Sequence, residues 1–116
     1  MNSKYAYGYQ NRNKYHICVI ANDWHFFYID SNPPARFMAD HISISKNDWP
    51  MCTKRSFVCI SRLLTPTDNE VNNGSTQYGA ITDAFMSKIV KAALANKTLE
   101  RNKKSILQDR LSQFLA

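Results

Sequence analysis

Residues able to do chemistry collect where the hydrophobic runs of this chain stop. Asp30 and Ser31 close one run, Arg36 follows the Pro33-Pro34 pair, and Lys54, Arg55 and Ser56 lead into another. Arginine offers a planar fork of donors to a phosphodiester, and lysine a compact positive charge. On one shared rim, such cations beside a hydroxyl and aromatic neighbours can bind a phosphodiester and stabilise charge as it is cleaved. His25 and Asp30 are the groups suited to moving a proton there, although turn and strand chemistry is the plainer reading of both.

Other chemistries are poorly provided for. His16, Cys18, His25, His41, Cys52 and Cys59 never fall at the CxxC or HxxxH spacing of a zinc site, so no metal is expected. His16 and Cys18 share a strand face, where a hydrogen-bonded histidine beside a core thiol is the simpler expectation. The glycines at 8, 74 and 79 cannot make a GxGxxG or P-loop, so no nucleotide cofactor is implied. No cysteine–histidine nucleophile pair has local support.

The rim residues need strands to carry them. Four short runs, residues 15–21, 24–30, 41–45 and 56–62, are rich in β-branched and aromatic side chains and separated by turn-formers. Asn22-Asp23 alone divides the first two, and both residues tolerate the positive φ of a two-residue hairpin. The first run is apolar on both faces, with Ile17, Val19 and Ala21 opposite His16, Cys18 and Ile20. It should be central and covered on both sides. The second is aromatic on both faces, which suits a small closed or partly closed barrel. In the third, Ile42 and Ile44 should point inward, and His41, Ser43 and Ser45 outward. Residues 1–14 read as an edge strand or an irregular arm, because Gly8 weakens a central strand. Residues 65–79 read as a polar loop.

Helix follows from residue 80 onward. Thr82 is suited to an N-cap, with Asp83 where the macrodipole favours an acid. Phe85, Met86, Ile89, Ala92 and Ala93 form an apolar stripe, and Asn96 a stop. Ser105-Ile-Leu-Gln108 has the form of a capping box opening a short last helix, with Leu107, Leu111, Phe114 and Leu115 on one side. One longer helix from Leu99 is the alternative. The whole is α+β: a small antiparallel barrel or curved sheet with one or two C-terminal helices, in a single domain of 116 residues.

The net charge is +6, unevenly spread. Residues 1–30 hold three bases and two acids, 31–64 five and two, 65–79 none and two, and 80–116 seven and three. Basic chains are steered toward phosphate backbones or acidic partners. Arg36, Lys54, Arg55, Lys88 and Lys91 are the cations placed to make such contacts, although a solvated helical face explains the last two as simply. No apolar run approaches a membrane span or a secretory leader, and three cysteines suit a reducing compartment; a cytoplasmic location is the expectation.

Residues 53–63, TKRSFVCISRL, then Tyr78-Gly79-Ala80-Ile81 before the helix at Thr82, resemble the MazF/PemK-like toxins in their order of elements. Upstream, the paired runs ending at Ser31 are similar to that family's first strands, and the likeness covers residues 15 to about 95. The resemblance implies an SH3-like barrel and a metal-independent endoribonuclease acting on single-stranded RNA. It also implies a homodimer and an antitoxin partner. The family's catalytic pair is an early-loop arginine and a hydroxyl after a central strand. Ser31 matches the hydroxyl by position, and Arg12 is the arginine that precedes the first strong strand. Two functions are therefore expected. One is a toxin-like RNA-binding protein that cleaves RNA; the other is a non-enzymatic interaction module, phage-encoded or defence-associated, binding a protein through its basic helices and exposed aromatics.

Overall fold

A computed structural model describes residues 5–9, 14–20, 25–31, 33–52, 54–65 and 75–115. Its strands are β1 (Tyr5–Tyr9), β2 (Lys14–Ile20), β3 (His25–Asp30), β4 (His41–Ile44), β5 (Ser56–Cys59) and β6 (Ser75–Ala80). Two helices follow, α1 (Asp83–Ala95) and α2 (Arg101–Arg110), and a 3-10 helix, Ala35–Asp40, lies between β3 and β4. All strand pairs are antiparallel, in the order β4-β5-β3-β2-β1-β6. The sheet is open: among the described residues no ladder joins β4 to β6 and closes it into a barrel.

The central position expected for β2 is observed, since His16, Ile17, Cys18 and Val19 are all 1% exposed or less. Two other expectations fail. The first strand is not at an edge, because Tyr5–Tyr9 is paired with β2 on one side and β6 on the other. Gly8 sits inside both ladders, opposite Tyr15 and Thr76; the neighbouring strands supply the order that glycine itself does not. The end of the expected 65–79 loop is instead β6, an edge strand whose polar sequence STQYGA carries no apolar alternation. Asn22, Asp23, Trp24 and the Asn72-Asn73-Gly74 turn fall outside the described residues.

One sheet face carries Ile17, Val19, Phe27, Ile29, Ile44 and Val58, which join Phe85, Met86, Ile89, Val90 and Ala93 of α1 in a single core. Packing an apolar helical stripe on an apolar sheet face removes both from water, the main source of stability here. Thr82 caps α1 as its sequence suggests, its Oγ1 accepting from the Phe85 amide at 3.2 Å. Asn96 ends the helix and starts the next turn. Its Oδ1 accepts from the Thr98 and Leu99 amides, both at 2.9 Å, and its Nδ2 donates to Asp40 Oδ1 at 2.9 Å.

That early restart places α2 near the longer-helix alternative, with Ser105 inside it rather than at a cap. The Ser105 hydroxyl donates to the Arg101 carbonyl four residues back, an outlet a serine has within a helix. Leu107 and Leu111 are buried, and Phe114 and Leu115 pack against the same core. Gly79 adopts φ +91°, open to glycine at little cost, and a Cβ there would lie 2.8 Å from Met51 Cγ. No helix among the described residues is long and apolar enough to cross a membrane.

Candidate nucleic-acid interface

The face of the sheet away from α1 carries the polar chemistry. β3 and β4 both pair with β5, so their side chains flank one shared strand. In register, Asp30 lies opposite Phe57, and Phe57 opposite Ser43. The Arg55 guanidinium stacks over the Phe57 ring at 5.0 Å. A cation held by an aromatic face thus stands one cross-strand neighbour from a carboxylate. Ser31, Lys54 and Arg55 are exposed at this end of the sheet.

His41 completes the group, on the face away from Ile42 and Ile44 where strand alternation places it. It is covered there rather than wet, its side chain only 4% exposed against 22% for Asp30. The ring Nδ1 donates to the Phe37 carbonyl at 2.8 Å, because a carbonyl can only accept. That bond turns Nε2 toward Asp30 Oδ2, 3.4 Å away. Eleven residues of sequence separate this pair, and no local spacing announces it. The signal that could have revealed it is topological: two strands sharing one neighbour bring the end of the first beside the start of the second.

Behind the pair lies a second polar group. The Cys59 thiol lies 3.3 Å from Ser61 Oγ and opposite His41 in register. Burial pushes the Tyr28 phenol well above its ordinary value, reinforced by a hydrogen bond to Cys59 and by the charge of Asp30. The three cysteines at 18, 52 and 59 are free and buried. Burial also pushes the Cys18 thiol up to about 12, since apolar surroundings disfavour the thiolate. An acid raised in this way favours folding while it stays protonated. Stability should therefore hold below pH 9 and fall as pH rises from 9 toward 12, by up to roughly 4 kcal/mol from this thiol. Urea titrations of wild type and Cys18→Ala across that range check it: the variant should lose part of the alkaline slope, and identical slopes would refute the assignment.

The remaining candidates divide by position. His25 is 6% exposed and pairs with Ile20 at the start of β3, five residues and about 17 Å from Asp30. It cannot share a site with that carboxylate. Arg36 is exposed and stacks over Phe37 at 4.9 Å, in the 3-10 helix. Lys88 and Lys91 are exposed on α1, which covers the opposite face of the sheet, so they form a separate surface. Lys97 and Arg101 are exposed with them, whereas Lys103 and Lys104 are half-buried. Arg12 and Thr53 lie outside the described residues. Among the described residues, no three His, Cys, Asp or Glu side chains stand close enough to hold a metal ion.

No family model, curated protein or solved structure matches this chain.

Proposed function

We propose that this protein engages single-stranded RNA at the Asp30–Arg55 rim and cleaves it without a metal, as a toxin-like cytoplasmic ribonuclease. The observation that carries this reading is the Arg55 stack on Phe57 directly across from Asp30. A guanidinium held over a ring is partly positioned before a phosphate arrives, with less ordering left to do on binding. Ser31 and Lys54 add a hydroxyl and a second charge at the same end. An SH3-like curvature of the strands belongs to this reading, and burial of both faces of β2 supports it. Three free cysteines suit a reducing compartment. A homodimer and an antitoxin partner remain proposals resting on the resemblance alone.

Asp30 supplies the proton transfer. Its carboxylate takes the proton of a ribose 2′-OH, and the 2′-oxygen attacks the adjacent phosphorus. The bond from phosphorus to the 5′-oxygen breaks, leaving a 2′,3′-cyclic phosphate. The 5′-oxygen leaves with the proton returned through Asp30, so protons and charge balance. Arg55 faces the charge that builds on the phosphoryl oxygens, while the His41 ring, fixed by its bond to the Phe37 carbonyl, packs beside Asp30.

The test is incubation of the protein with a single-stranded oligoribonucleotide and its 2′-deoxy counterpart in EDTA. RNA should be cut to cyclic-phosphate ends, and the deoxy strand bound but left whole. Binding without cleavage would remove the enzyme and keep the interface. Binding to neither strand would overturn the proposal.

A further inference from the structure

The two helices carry charge that the fold itself does not use. Residues 88–104 hold six bases, Lys88, Lys91, Lys97, Arg101, Lys103 and Lys104, and a single acid, Glu100. Among the described residues, none of the six is in an ion pair. Lys88 and Lys91 stand one turn apart on α1, about 4.5 Å along its axis, and Arg101 and Lys104 repeat that spacing on α2. Like charges so placed repel each other. The first turn of α2 contains no acid, only bases where the helix's own field disfavours them. Local stability gains nothing from this arrangement, and an anionic partner would relieve all of it.

The neighbouring side chains indicate what kind of anion. Both helices turn their apolar sides into the core, with Ile89, Val90 and Ala93 from α1 and Leu107 from α2. Among the described residues the exposed large apolar side chains are Tyr15, Phe37, Met38 and Met51, all outside the two helices. Between the cations, water meets Ala95, Thr98, Asn102 and Gln108. A protein partner needs apolar anchors, a lipid surface needs an apolar face to enter it, and a single strand needs aromatic platforms for its bases. The helices offer none of these. Lysine, arginine, hydroxyl and amide groups are what contact the sugar–phosphate backbone of a duplex, whose bases stay stacked inside.

We propose that the α1–α2 surface holds the phosphate backbone of a nucleic-acid duplex, with Lys88, Lys91, Lys97 and Arg101 as the charged contacts and no reading of base sequence. Lys88 and Lys91 lie on the side of the sheet opposite the Asp30–Arg55 rim, so duplex binding depends on neither strand engagement nor cleavage there.

The probes are fluorescent RNA and DNA duplexes of about 16 base pairs, longer than the 31 Å extent of the chain, and a single-stranded oligoribonucleotide of the same length. Anisotropy with the full chain in EDTA should show both duplexes bound with similar affinity whatever their sequence. Four phosphate contacts give a log–log salt slope of about −3.6 on DNA. Lys88→Gln combined with Lys91→Gln removes two of them. The slope should shrink to about −1.8, and duplex affinity at about 0.1 M salt should fall more than about tenfold. Arg62→Gln, which removes a charge beside Tyr28 instead, should leave both within about twofold. All three positions are exposed, and thermal unfolding confirms that the variants fold. Duplex binding without single-strand binding would support this proposal and remove the rim reading. An unchanged slope in the double variant would overturn it, as would an equal loss in Arg62→Gln. A single strand bound more tightly than either duplex, and lost in the double variant, would assign the surface to unpaired RNA and overturn it. Binding of phosphatidylserine vesicles but of neither duplex would assign it to a lipid surface, with the same consequence.

Discussion

Asn96→Ala should lower the free energy of unfolding by roughly 2–4 kcal/mol, although it removes no apolar contact of the main core. The side chain is 8% exposed and makes three hydrogen bonds at 2.9 Å, two accepted from Thr98 and Leu99 amides and one donated to Asp40. Alanine leaves the Leu99 amide without its acceptor where water has little access, since Leu99 itself is 4% exposed. An unmet buried donor costs about 1–3 kcal/mol, and the Asp40 carboxylate loses a donor in addition. Asn96→Asp sharpens the argument. It keeps an acceptor for both amides but replaces the donor facing Asp40 with a second carboxylate, so at neutral pH it should destabilise at least as much as alanine. Urea unfolding of both variants measures this. A change below about 0.5 kcal/mol in Asn96→Ala would mean that the turn reorganises freely.

Asn96 also illustrates which features are legible in the chain. As a helix stop it can be read directly, because a short polar side chain after an apolar stripe is a local signal, as is Thr82 at the other end of α1. The β-branched and aromatic runs around Ile17, Phe27, Ile42 and Val58 mark four strands for the same reason. The tie from Asn96 to Asp40 spans 56 residues and leaves no trace in spacing. The place of β1 and the existence of β6 depend on a pairing of Tyr5 with Ala80, and β6 is too polar to declare itself. Ser105 misleads because its hydroxyl serves a helix interior as readily as a cap. At the rim, Asp30, Ser31 and Arg55 could be collected from strand ends, since ends of adjacent strands lie near one another. The strand order that brings His41 to Asp30, and keeps His25 away from it, is a property of the sheet alone.

Asp30→Asn should slow RNA cleavage by roughly 10²–10⁴-fold, the range for removing a general base, while RNA affinity changes far less. The amide fills the same space and can still meet His41, so folding should survive. Ser31→Ala is the discriminating partner. If the hydroxyl is the group that matters, as the family resemblance implies, its loss should equal or exceed that of Asp30→Asn. If the carboxylate takes the proton, Ser31→Ala should retain most of the rate. His25 lies about 17 Å along β3, so His25→Gln should leave the rate constant of the bound complex unchanged. His41 is a positioning residue, reached through Asp30 at 3.4 Å and nearly closed to solvent. Gln at 41 keeps a polar side chain with a donor and an acceptor beside the carboxylate, whereas Leu keeps neither. Single-turnover rates should therefore fall in His41→Leu and recover in His41→Gln, with RNA affinity steady in both. A purely structural role would instead lower affinity and stability along with the rate. Arg55→Lys keeps the charge but not the guanidinium over Phe57, so it should weaken binding and rate together, and a rate loss confined to Arg12→Ala would move the chemistry away from this rim altogether.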